Sequence, residues 1–132
     1  MLAGFGEPLG LDADLALRLG RTLGGGLGAG EVCGAVSGAA VVLGLTQGQP
    51  GPDERELRAK VRELNRRFLR RFREIHGSIV CRELLGVDPS TDTGYQAAVD
   101  QELFEVLCPR FVASAGAVLE ELLAPPAAAQ GG

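Results

Sequence analysis

The segment from residue 53 to residue 76 constrains the fold more than any other part of the sequence. Its apolar residues are spaced three or four positions apart and are Leu57, Val61, Leu64, Phe68, Phe72 and Ile75. This spacing places them on one face of an α-helix. Asp53 with Glu56 resembles a capping box, and Gly77 is the residue type that ends a helix. We therefore predict one long amphipathic helix whose apolar stripe is covered by other elements.

The remaining segments also carry helix signals, and none shows the alternation of apolar and polar residues that is typical of a strand. The further predicted helices run from Asp12 to Leu23, from Glu31 to about Leu45, from Ser78 to Leu85, from about Tyr95 to Leu107 and from Pro109 to about Leu123. These signals predict an all-α protein, a compact bundle of five or six helices. We expect a single helical domain over residues 1–123 and a flexible tail rich in Pro, Ala and Gly over residues 124–132.

The charges argue against a generally basic nucleic-acid-binding protein. The chain has 13 basic and 17 acidic residues, a formal net charge of −4. Most of the basic residues are arginines between Arg55 and Arg73, and the phenylalanines among them belong to the apolar stripe and not to the arginine face, so they are not placed to stack on bases. We interpret them as the solvated face of the long helix and predict no specific nucleic-acid partner.

No segment has the length of a membrane span. The longest apolar stretch runs from Val32 to Leu45 and contains Gly34, Gly38 and Gly44. It is shorter than the roughly 20 residues that a transmembrane helix needs. The N-terminus lacks the basic and apolar regions of a signal peptide. We therefore expect no membrane span and a cytoplasmic protein.

The three cysteines carry most of the functional information. Cys33, Cys81 and Cys108 all lie near predicted helix starts. A helix N-terminus favours the thiolate, which attacks disulfides and binds metals, so this placement predicts lowered thiol pKa values. The competing interpretation is that the thiols are buried and inert. Because a disulfide or metal site needs the thiols close together, a functional role requires at least two of them to converge.

The glycines around Cys33 indicate close packing. Residues 24–30 are mostly glycine but lack the dinucleotide-binding and phosphate-loop patterns. Gly34 and Gly38 lie on one face of the predicted second helix, so a neighbouring helix can approach closely there. A hydrolase is not indicated, since Ser37 lacks the nucleophile-elbow pattern and His76 is the single histidine.

Three segments together resemble the C_GCAxxG_C_C family of redox-active bacterial and archaeal proteins. Residues 33–38 read Cys-Gly-Ala-Val-Ser-Gly, residues 77–86 surround Cys81, and Val112, Ala113 and Ala115 follow Cys108. The resemblance extends from about Asp12 to Leu122. It implies that the three cysteines are redox residues. With the glycine-rich surroundings, it also marks Gly34, Ala35 and Gly38 as backbone that a partner or cofactor can approach.

The chain departs from the family pattern at one position. The family has a further cysteine in an N-terminal helix before the glycine loop, and this sequence has none there. Either that cysteine has been lost or the start site truncates it. A homodimer in which a second chain compensates for it is one alternative.

Three functions stay open. The first is a thiol redox or electron-transfer accessory protein that has no bound cofactor and acts on an unidentified redox partner protein. Its reversible disulfide joins Cys81 to Cys108, or Cys33 to either of them. The second is zinc or iron–sulfur binding by Cys33, Cys81 and Cys108, with His76 as a fourth ligand. The third is a structural helical domain with inert cysteines.

Overall fold

The computed structural model of the protein describes residues 1–124, and its helices confirm the all-α prediction. The eight helices of this part of the chain are α1 (Leu2–Phe5), α2 (Ala13–Gly20), α3 (Gly34–Gln47), α4 (Glu54–His76), α5 (Cys81–Leu85), α6 (Asp92–Asp100), α7 (Leu103–Val106) and α8 (Cys108–Leu123). They exceed the expected five or six because the single turn α1, where residues 1–5 resemble the end of the family's N-terminal helix, was not counted among the predicted helices and one predicted helix is divided. Apart from Ala124, the predicted tail lies outside the described residues.

Helices α3, α4 and α8 pack against one another and form the core. Helix α3 is apolar on nearly all sides, so it can be enclosed by its neighbours. The fully buried side chains of the three helices include Val36, Ala39, Val42, Leu43, Phe68, Phe72, Ala115, Val118 and Leu119. The small residues of α3 and α8 let these helices approach closely, and the two phenylalanines of α4 fill the remaining space.

Helix α4 has the predicted caps and a shorter buried stripe than predicted. The side chain of Asp53 accepts a hydrogen bond from the Glu56 amide at 3.0 Å, and Gly77 ends the helix with φ 84°. Phe68 and Phe72 are fully buried, whereas Ile75 is exposed. The stripe is less buried towards the N-terminal end of the helix, where Leu57, Val61 and Leu64 are half-buried. The arginines of α4 lie almost entirely on the exposed side.

The second predicted helix begins at Gly34 and not at Glu31, because the preceding residues pair with a distant segment. Val32 and Val80 form an isolated antiparallel bridge. The Cys33 amide donates to the Ile79 carbonyl at 2.8 Å, and the Cys81 amide donates to the Glu31 carbonyl at 2.6 Å. These hydrogen bonds hold residues 31–33 extended and join the start of α3 to the start of α5.

The helix predicted from Tyr95 to Leu107 is divided into α6 and α7. Glu102 lies between them with φ 55°, a left-handed conformation that a helix cannot contain. Helix α6 also begins earlier than predicted, since the Thr91 hydroxyl caps it by accepting from the Gly94 amide at 3.0 Å. A glutamate in this conformation gives no sequence signal, which explains the error.

Smaller differences concern the other helix ends. Asp12 caps α2 as predicted, accepting from the Leu15 amide at 2.8 Å, but α2 ends at Gly20. Val80, and not Ser78, directly precedes α5. Pro109 lies in the first turn of α8, as predicted. Among the described helices, none combines the length and apolar character needed to cross a membrane.

Replacing Gly34 by alanine should destabilise the fold. A Cβ atom at this position would lie 2.8 Å from the carbonyl oxygen of Leu23, which is backbone and cannot turn aside. We expect a loss of about 1–3 kcal/mol in the free energy of unfolding, measured by urea denaturation. Gly44→Ala in the same helix is the matched control, because nothing lies within 4 Å of its added Cβ. That control should be neutral or stabilising by up to about 1 kcal/mol. Equal stabilities of the two variants would contradict the close approach at Gly34.

Candidate thiol site

All three cysteines line one cavity of about 250 Å³. Cys33 directly precedes α3, Cys81 is the first residue of α5, and Cys108 is the first residue of α8. The predicted placement at helix starts is therefore correct for all three. The cavity is completed by Met1, Leu2, Gly20, Leu23, Gly24, Gly25, Gly34, Ala35, Gly38, Leu85, Phe111 and Val112. Segments that are remote in sequence thus bring the three thiols to one place.

The bridge between Val32 and Val80 positions two of the thiols. In an antiparallel pair, Cys33 lies opposite Ile79, and Cys81 lies two residues beyond Ile79 on the same face. The Cα atoms of such diagonal neighbours are typically about 7–8 Å apart. Cys108 reaches the cavity from α8, which packs against α3. The arrangement therefore depends on one short backbone contact and one helix packing contact.

A left-handed turn lies beside the cavity, and its first residue, Gly25, lines the wall. Residues 25–28 all have positive φ, and the turn consists of Gly25, Gly26, Leu27 and Gly28. Glycine adopts this conformation without strain, which explains the glycine-rich sequence. Leu27 is the exception, since its φ is 61° and its side chain is 60% exposed. The turn leaves Gly24 and Gly25 as bare backbone beside the cysteines.

The predicted motif residues Gly34, Ala35 and Gly38 also line the cavity. Gly34 approaches the Leu23 backbone in the segment after α2, and a Cβ at Gly38 would lie 3.0 Å from the Met1 Cβ. The close packing expected on this face is therefore present, but it is made with chain segments before α1 and after α2. A helix-to-helix contact along both glycines was expected and is not what the structure shows.

Burial raises the pKa of all three thiols, contrary to the prediction from their helix-start positions. Cys33 and Cys81 are 8% and 7% exposed, and Cys108 is half-buried. The amides of Ala35 and Val36 do lower the pKa of Cys33, but the loss of water around the thiol outweighs them. Burial first, and then the neighbouring Cys33 and Cys108, raise the pKa of Cys81 to about 11.

The thiols also act on one another, because two thiolates in one cavity would repel. Cys33 raises the pKa of both Cys81 and Cys108. The other charges that act on them are carboxylates, Asp88 on Cys81 and Glu105 on Cys108. Both favour the protonated thiol. The uncharged form of the site is therefore the stable one at neutral pH.

His76 does not line the cavity, so the structure does not support it as a fourth ligand of these cysteines. Its ring packs against Phe72 and Phe111, with centroids 4.7 Å and 5.0 Å away. Burial lowers its pKa, and its Nε2 atom is buried without a hydrogen-bond partner. Within residues 1–124 no three His, Cys, Asp or Glu side chains are already gathered as a metal-binding group, and the cysteines are free thiols.

Several lining residues were not identified from the sequence. Met1 and Leu2 reach the cavity through α1, whose single turn is too short to leave a periodic signal. Leu85 and Phe111 belong to apolar stripes of α5 and α8 that resemble ordinary core residues. The bridge between Val32 and Val80 involves one residue from each side, so it leaves no alternating pattern.

The chain matches the model of a known protein family. The family model described as "Putative redox-active protein (C_GCAxxG_C_C)" matches residues 1–122 of the chain. Among curated proteins and solved structures, nothing matches.

The raised thiol pKa values predict slow alkylation at neutral pH. For Cys81 the change from the ordinary value of 9.0 to about 11 lowers the thiolate fraction at pH 8 about 100-fold. The rate of its reaction with iodoacetamide, followed by mass spectrometry, should keep rising towards pH 11 in the folded protein. In the urea-unfolded protein it should level off above pH 9. Poor access of the reagent lowers the alkylation rate at every pH but does not move the midpoint of the rate's rise with pH. A midpoint at or below pH 9.0 in the folded protein would therefore contradict the raised pKa of Cys81.

Proposed function

The chain belongs to the C_GCAxxG_C_C family, and we propose that it is a thiol redox protein in which Cys33 forms a reversible disulfide with Cys81 or Cys108. The observation that supports this proposal is the single cavity lined by all three cysteines. The family description agrees with a redox role, and the choice of Cys33 rests on its effect on both other thiols.

Cys33 is the shared partner because it acts on both other thiols, and its effect on the pKa of Cys81 is larger than that of Cys108. It raises the pKa of Cys81 and of Cys108, so both thiols lie near it. Cys33 and Cys81 are diagonal neighbours across the bridge, and the Cα atoms of such neighbours are typically about 7–8 Å apart, just beyond the upper limit of disulfide geometry. A small backbone shift at the bridge would bring them together. Cys108 is the least buried of the three and is the thiol that a partner protein would meet first.

The proposed reaction is thiol–disulfide exchange with a disulfide of a partner protein. The Cys108 thiolate attacks the partner's disulfide, forming a mixed disulfide and releasing one partner thiol. The Cys33 thiolate then attacks the Cys108 sulfur, forming the internal disulfide and releasing the second partner thiol. Two electrons and two protons pass to the partner, whose disulfide becomes two thiols.

The apolar cavity fits both end states, because a pair of thiols and a disulfide are both uncharged. Neither form places a charge among the apolar lining residues. The raised pKa values keep the reduced protein unreactive until a thiol loses its proton, which limits exchange with unspecific disulfides. In a cytoplasmic setting, which the sequence led us to expect, the cellular thiol pool would return the protein to its reduced state.

Mild oxidation of the full chain with diamide tests the proposal. The reduced protein should lose two of its three thiols and keep one, counted by thiol titration under denaturing conditions. Peptide mapping should find Cys33 in the disulfide. Cys81→Ser and Cys108→Ser should each still lose both remaining thiols, whereas Cys33→Ser should lose its two thiols more slowly than either of these variants.

Two outcomes would contradict the proposal. The first is a wild-type protein that keeps all three thiols after oxidation, which would favour inert cysteines. The second is a disulfide between Cys81 and Cys108 that forms faster in Cys33→Ser than the disulfides of Cys81→Ser and Cys108→Ser. Ser37→Ala is a matched control, since Ser37 lies in the same motif but not on the cavity, and it should oxidise like the wild-type protein.

A further inference from the structure

We propose that the reduced cavity binds a trivalent metalloid, arsenic(III) or antimony(III), through the sulfurs of Cys33, Cys81 and Cys108. This inference goes beyond the proposed redox function, because it concerns the fully reduced protein and needs no oxidant. It rests on the composition of the cavity wall, on the charge of the complex and on the open space between the thiols.

The set of possible ligands in the cavity favours a trivalent metalloid over zinc. The cavity offers three thiols and, among the described residues, no lining carboxylate, imidazole or hydroxyl side chain. Structural zinc sites are almost always completed by four protein ligands, usually cysteine and histidine. A trivalent metalloid forms three bonds, so three thiols satisfy it. Soft sulfur ligands also suit such soft ions better than hard cations.

The net charge of the complex also favours a trivalent centre. Three thiolates around a divalent cation carry a net charge of −1, and three thiolates around a trivalent centre carry none. No charged side chain lines the cavity, and Asp88 and Glu105 already place negative charge near Cys81 and Cys108. An uncompensated charge in such surroundings is costly. The neutral trithiolate is therefore the complex that this cavity accommodates.

The binding reaction balances without a change in oxidation state. Arsenous acid, As(OH)₃, reacts with three thiols, so that three As–O bonds break and three As–S bonds form. The three thiol protons leave with the three hydroxyl groups as three water molecules. The incoming molecule is small and uncharged, and the cavity wall includes the bare backbone of Gly24 and Gly25.

The cavity has room for the three sulfurs to move towards a common centre. The three side chains are not gathered around one point in the structure, so binding requires the sulfurs to move inward. They border about 250 Å³ of open volume. A cysteine changes its sulfur position by rotation about one bond between staggered positions. Rotation of this kind moves the sulfurs within the open volume that they border.

Titration of the reduced full-length chain with sodium arsenite tests the inference. Calorimetry should show one arsenite bound per chain, and all three thiols should become protected from a thiol reagent. Each of Cys33→Ser, Cys81→Ser and Cys108→Ser should lower the affinity at least about tenfold, since even changes outside the ligand set cost about 10–100-fold. The affinity for arsenite should exceed that for Zn²⁺.

Val42→Ala is the matched control. Val42 is fully buried in α3 but does not line the cavity, so this variant disturbs the core without touching the thiols. Its arsenite affinity should equal that of the wild-type protein. Circular dichroism checks the fold of each cysteine variant, and Cys→Ala replaces any serine variant that fails to fold.

Three results would overturn the inference. These are an unchanged affinity in any single cysteine variant, tighter binding of Zn²⁺ than of arsenite, or no arsenite binding by the folded, reduced protein. Phenylarsine oxide needs two thiols only, so binding of this probe alone would indicate a pair and not a three-thiol site. The diamide experiment counts the thiols of oxidised protein in the absence of arsenic. Its outcome therefore does not depend on the result of the arsenite titration.

Discussion

The backbone bridge between Val32 and Val80 is the contact on which the thiol site depends. It fixes the extended residues before α3 beside those before α5, and so places Cys33 and Cys81 on one side of the cavity. The packing of α8 against α3 then adds Cys108. Gly24 and Gly25 add to the wall without side chains.

The same apolar surroundings determine the chemistry of the site. Helix starts would ordinarily favour thiolates, but burial outweighs this effect, and the nearby carboxylates act in the same direction as burial. The cavity therefore favours uncharged states of sulfur. A dithiol, a disulfide and a neutral trithiolate complex share this property, so the redox proposal and the metalloid proposal follow from one electrostatic condition.

Residues with local signals were predicted well, and residues placed by tertiary contacts were not. The caps Asp12, Asp53 and Gly77 and the stripe of α4 follow from periodicity and capping chemistry, which are properties of neighbouring residues. The positions of the cysteines at helix starts were found in the same way. The division at Glu102, the bridge to Val80 and the direction of the thiol pKa shifts depend on distant parts of the chain. The family resemblance indicated which residues mattered, but not that burial would keep their thiols protonated.

The redox and metalloid proposals both require that Cys33, Cys81 and Cys108 meet at one cavity within a single chain. Crosslinking with dibromobimane tests it most directly, because this reagent becomes fluorescent only after joining two thiols. Three variants, each lacking one cysteine, present the three possible pairs. The structure predicts intramolecular crosslinking in all three variants of the folded, reduced protein. Crosslinks that form only between chains, or the absence of fluorescence from the pairs that include Cys33, would contradict the account.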